Sequence, residues 1–213
     1  MSQSYTKYFA LGSSTDIDEQ EHFPTEGEVN AHLKLMKSFQ NLRKTVIVSS
    51  DVKAGAKSWQ VFVTNAARRF IIYVSALKCY MFPNSVEAHY PIDEEIMYKK
   101  ACARNRRSLD IMSNHLPPLD IVMVWHAFAL NPRVLYDTFL RNDFLTFVFI
   151  PFPLRLLSEA ISDATFEYLP NVALVSGFHK IMNAYGVTME YEFNGPFIAN
   201  ITRVPVFCPT LTL

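Results

Sequence analysis

Twelve residues, LDIVMVWHAFAL at positions 119–130, constrain this chain more than any other segment. They are apolar almost all round a helix, which leaves little face for solvent, and a helix of that kind belongs in the interior. Proline marks both ends. Pro117-Pro118 opens the segment, since proline is tolerated in a first helical turn, and Asn131-Pro132 closes it, since the residue before proline avoids the helical region. A buried central helix needs other helices around it, and the rest of the sequence supplies them.

Thr25 and Glu28 form a capping box that starts a first helix, whose stripe is Val29, Leu33, Met36 and Phe39. A second helix is predicted over residues 59–81, with Phe62, Ala66, Phe70, Tyr73, Leu77 and Met81 inward, and a third over 93–114. After the central helix come a fifth over 134–142, a sixth to about residue 162 and a seventh from Pro170 to Gly186. The seventh is expected to bury Val172, Val175, His179 and Met182. Beyond Gly186 the chain reads as extended. The expectation is a single all-α domain of about seven helices at residues 25–195. A flexible acidic arm at 1–24 precedes it, and an extended tail at 196–213 follows.

Composition narrows the function classes. Of 213 residues half are hydrophobic and 14% aromatic, with 20 basic side chains against 20 acidic ones. That supports a large core and argues against disorder and against general nucleic-acid binding, which needs excess positive charge. Three scattered cysteines and no CxxC point to neither a zinc framework nor a disulfide scaffold. No signal-peptide pattern opens the chain and no apolar run is long enough to span a bilayer, so a cytoplasmic or nuclear protein is expected, without membrane contact. Gly-rich phosphate loops, GxSxG and HExxH are all missing, so no cofactor and no metal is expected.

Three groups of residues remain as candidates. The first is in the central helix. His126 lies on an apolar stripe with Leu119, Val122, Met123 and Leu130, and must find a partner or stay neutral. Either it is a catalytic acid or base supported by Asp120, or it and Trp125 are packing residues pinned by hydrogen bonds. Asp120 sits about 120° around the helix from His126, so the two are not helical neighbours. The second is a basic face, Lys100, Arg104 and Arg107, which is either a weak phosphate- or RNA-binding stripe or a solvated helix surface. The third is the aromatic stretch holding Phe144, Phe147, Phe149 and Phe152. Exposed, it is an interaction patch; buried, it is a core-crossing connection.

The segment PPLDIVMVWHAFALNPR resembles the signature of the helical N-terminal domain of plant glycine-rich domain proteins and their fungal glycine-rich domain-containing protein-like counterparts. That signature runs Pro-x-x-Asp, three or four apolar residues, Trp-His-x-His-x-Leu-x-Pro, then Tyr. Asp120, Trp125, His126, Leu130, Pro132 and Tyr136 match it, with Asn131 between, while Phe128 stands where the pattern has its second His. The resemblance is specific over residues 108–170. It implies a helical domain without an assigned activity, and a C-terminal CPxC element of which only Cys208-Pro209 is present, as in a shortened form. The sequence therefore leads to a non-enzymatic intracellular interaction or scaffold domain with a protein partner. The alternatives are an enzyme using His126 and a weak phosphate binder, and the oligomeric state is left open.

Overall fold

A computed structural model describes residues 24–47, 51–81, 113–142, 144, 147–148 and 150–192. Six helices occur among them: α1 (Glu26–Val46), α2 (Val52–Met81), α3 (Leu119–Ala129), α4 (Pro132–Arg141), α5 (Leu154–Ala160) and α6 (Val172–Ala184). No strand occurs among the described residues; the nearest thing to one is an isolated antiparallel bridge between Ile161 and Tyr168. The fold is all-α, as expected. The helix expected over 93–114 lies outside the described residues except for its last two positions, as do the arm up to residue 23 and the tail from 193.

Local chemistry sets most helix ends. The capping box at α1 forms in full: Glu28 N–H donates to Thr25 Oγ1, and Thr25 N–H donates to the Glu28 carboxylate at 2.7 Å. α2 begins seven residues earlier than periodicity suggests. There the Asp51 carboxylate accepts from Lys53 N–H, a turn that launches a helix through the polar stretch around Gly55. Asn131 caps α4 by accepting from Val134 N–H, which leaves Pro132 at the first helical position. α6 stops in a Schellman arrangement. Val187 N–H reaches Met182 O, Gly186 N–H reaches Asn183 O, and Gly186 takes the left-handed φ of 75° that such an ending requires.

α3 is apolar all round because it lies between two cores. Ile121, Val124 and Trp125 join the larger one, with the inner face of α2, Leu135 and Phe139 of α4, and Phe178, Ile181 and Met182 of α6. Val122 points the other way, to a smaller core with Leu35 of α1 and Leu157 and Ala160 of α5. The predicted α2 stripe is buried in full. Two other stripes shift. On α1, Val29 and Leu33 are 43% and 59% exposed, while Leu35 is sealed. On α6, Val172 is exposed, and Phe178, Ile181 and Met182 face inward. In both helices apolar residues outnumber the positions one face can hold, so the neighbouring helix decides which are covered.

The aromatic stretch is a core connection. Phe144 and Phe147 are 2% and 0% exposed, which corrects their assignment to an interaction patch. Phe147 is the hub: its ring stacks on Phe139 at 4.4 Å and meets Trp125 at 5.2 Å, Phe144 at 5.7 Å and Phe70 at 5.9 Å. Phe152 is half-buried, its ring edge-on to Trp125. Phe149 lies outside the described residues. A patch at this place would need the stretch to face solvent. The turns closed by Phe147 N–H to Phe144 O and Ile150 N–H to Phe147 O instead fold it inward.

Candidate functional site

The polar groups of α3 divide between its two sides. On one side is Asp120, whose side chain is only 4% exposed. Arg69 of α2 meets it with Nε 2.7 Å from Oδ2, and Nη2 3.5 Å from Oδ1. The same guanidinium donates to the carbonyls of Glu190 and Tyr191, at 3.0 and 3.3 Å. One buried cation thereby joins α2, α3 and the segment after α6. Burial pushes the Asp120 carboxyl above its usual range, and the Arg69 charge offsets part of that push.

The chain entering α3 needs partners for its own backbone. Pro117 and Pro118 carry no N–H, and while Pro118 O accepts from Val122 N–H of α3, the carbonyls of Leu116 and Pro117 precede the helix and need partners from elsewhere. Tyrosines satisfy them: Tyr191 Oη donates to Leu116 O at 3.0 Å and Tyr168 Oη to Pro117 O at 2.9 Å. The two hydroxyls lie 3.3 Å apart. Beside them Tyr73 Oη and His115 Nε2 share a 2.9 Å hydrogen bond, both residues fully buried. Burial drives all three phenols well above their ordinary range, so they remain protonated.

On the opposite side is His126, 9% exposed. Its Nε2 lies 2.9 Å from Nε2 of His32 on α1. The ring centroids are 5.1 Å apart, close to the nitrogen separation plus one ring radius at each end, so the rings meet nearly end to end. That is the geometry of an N–H···N bond between a donor and an acceptor imidazole. Phe39 and Phe152 close around His126 with centroids at 5.7 and 5.8 Å. Burial pushes the His126 ring below its ordinary value, and His32 adds to the shift.

His126 and Asp120 are therefore not brought together. One is bonded to α1 and the other to α2, and neither lines the surface grooves described below. Their pairing as acid and support is corrected on that ground: the 120° offset on α3 directs them to different neighbours. Trp125 is in the larger core, Tyr136 is half-buried against it, and Leu130 is 70% exposed at the end of α3. Lys100, Arg104 and Arg107 lie outside the described residues. Among the described residues no three His, Cys, Asp or Glu side chains gather in a way that could hold a metal ion.

Two open grooves of about 470 and 670 Å³ flank Lys34 of α1. Lys34 Nζ donates to Ser158 O and pairs with Asp163, both at 2.7 Å. Leu33 and Phe166 supply apolar wall to the smaller groove. Phe166 stands in the tight turn between Ser162 and Glu167 with φ 57°, a left-handed conformation rare for a bulky residue and costing on the order of 1–3 kcal/mol. The ring's packing against the smaller core holds it there.

Sequence reasoning missed His32, Arg69, Tyr73, His115, Tyr168 and Tyr191 as partners. Arg69 was detectable: it falls between Ala66 and Tyr73 on the buried stripe of α2, where an unpaired charge is too costly to keep. His32 carried no such signal, because its partner is 94 residues away. Compared with known protein families, with curated proteins and with solved structures, the chain matches none of them.

Proposed function

We propose that this chain is a non-enzymatic interaction or scaffold domain of the glycine-rich domain protein-like type, which binds a protein partner on its surface. One observation carries the reading: both chemistry-bearing side chains of the α3 segment are committed to neighbouring helices, Asp120 to Arg69 and His126 to His32. Such groups hold architecture, and recognition is left to the surface. The groove between α1 and the Ser162–Glu167 turn suits a peptide segment. It offers an apolar wall at Leu33 and Phe166, charges of both signs at Lys37 and Asp163, and a strained turn of the kind that clusters at binding sites.

Affinity capture with quantitative mass spectrometry tests this, comparing wild type with Leu33→Asp. Leu33 is 59% exposed, so the variant keeps the core intact, and Leu130→Asp, outside both grooves, is the control. The expected result is a protein recovered by wild type and the control and reduced about tenfold by Leu33→Asp, as for loss of one anchoring contact. Equal recovery with all three proteins would contradict the proposed surface.

A further inference from the structure

Among the described residues, the His32–His126 contact is a hydrogen bond between two histidine rings. Its two members are both imidazoles, the side-chain type whose unperturbed charge change lies closest to neutral pH. An N–H···N bond needs one ring to donate and the other to accept. Neutral imidazoles satisfy that condition. A single added proton also leaves one acceptor, but it places a charge inside a cage of Phe39 and Phe152. A second proton removes the last acceptor and sets two cations 2.9 Å apart.

We propose that the His32–His126 pair is an acid-sensitive latch: neutral, it fastens α1 to α3, and when protonated it releases α1 from the rest of the fold. Among the described residues, the surroundings supply little compensation. On α1 itself, Glu28 lies one turn before His32, but its carboxylate is held by Thr25 N–H and Oγ1, at 2.7 and 2.9 Å. On α3, Asp120 is bound to Arg69. On α5, Arg155 and Glu159 are exposed and pair with each other at 3.2 Å. The group that acts electrostatically on His126 is His32.

The other ties of α1 make release of this helix the expected response. Among the described residues, Lys34 to Ser158 O, Lys34 to Asp163 and Asn41 to Thr165 O reach α5 or the turn after it, and Arg43 lies over the Trp59 ring of α2, none of them through an imidazole. Lysine and carboxylate side chains ordinarily keep their charges between about pH 7.5 and 5.5. Between pH 7.5 and 5.5 the histidine pair is thus the part of the α1 attachment that changes.

Amide hydrogen exchange across α1, corrected for the intrinsic pH dependence, reads the latch directly. Uptake of one proton on opening raises the α1 opening constant by up to about tenfold per pH unit below roughly 6.5. The expected result is a rise of that order between pH 6.5 and 5.5 in residues 26–46, with α2 and α6 unchanged. In His32→Gln, which keeps a hydrogen-bonding side chain at a half-buried site but removes one charge, the rise is expected to shrink to about threefold or less. A pH response in His32→Gln equal to that of wild type would overturn the proposal. A ring-nitrogen NMR titration of wild type needs no variant and gives a second test. Two coupled protonation steps support the latch, and two independent steps at the ordinary histidine value overturn it.

Discussion

Asp120 and Arg69 show how a charged residue survives in an apolar helix. A carboxylate with a 4% exposed side chain is tolerable because a guanidinium meets it, and Nη2 of that guanidinium also donates to the carbonyls of Glu190 and Tyr191. Phe147 shows the apolar counterpart. Its fully buried ring touches aromatic side chains from α2, α3 and α4, so it ties three helices at one point. Phe147→Ala is expected to cost about 3–5 kcal/mol in chemical denaturation, the range for emptying a large buried aromatic site. A cost below about 1 kcal/mol would show that the ring is not the hub described. At this scale the sequence was legible only in part. Position 126 announced a need for a partner, because an imidazole on an apolar stripe cannot stand alone. Which partner answered depended on the crossing of α1 and α3, which residues near position 126 do not encode.

At the scale of elements, capping and proline chemistry placed helix ends well. Thr25 with Glu28, Asn131 with Pro132, and Gly186 are all local signals, and each acts where the sequence puts it. Thr25→Ala is expected to lower stability by about 1 kcal/mol through loss of the box. Buried faces were less legible. On α1, Leu33 and Leu35 compete for the interior, and only the presence of α5 settles the outcome in favour of Leu35. One contact between elements is unusually tight. A Cβ added at Gly177 of α6 would stand 2.1 Å from the carbonyl oxygen of Asn114, in the segment leading to α3. Gly177→Ala is therefore expected to push α6 off that segment and to destabilise by about 1–3 kcal/mol, as overpacking does. A thermal melt equal to wild type would show that the backbone gives way freely there.

For the whole molecule, the organising fact is that α3 lies between two apolar clusters and carries polar bonds outward on both sides. The periodicity of residues 119–130 was enough to place this helix inside. It was not enough to show that the inside is double, since uniform apolarity describes one large core as well as two smaller ones. Among the described residues no helix is long and apolar enough to cross a membrane. pH enters at this scale. Because the folded His126 ring titrates below its ordinary value, this side chain binds more protons in the unfolded chain than in the folded one below about pH 6.5. The contribution of this group to stability is present in full above that pH and is lost as the pH falls through it. Urea unfolding at pH 7.5 and 5.5 should show a lower unfolding free energy at 5.5, by up to about 1.4 kcal/mol per pH unit for one proton, and a smaller difference in His126→Gln. A pH dependence in His126→Gln equal to or steeper than that of wild type would refute the assignment.

The claim that the α3 segment serves architecture is met most directly by a double-mutant cycle on Arg69 and Asp120, read by equilibrium denaturation. Arg69→Met and Asp120→Leu should each cost about 3–5 kcal/mol, because each strands a buried charge, while the double variant should lie much nearer to wild type than the sum of the two. Additive costs, or singles that leave stability unchanged, would mean that the pair does not hold these helices together.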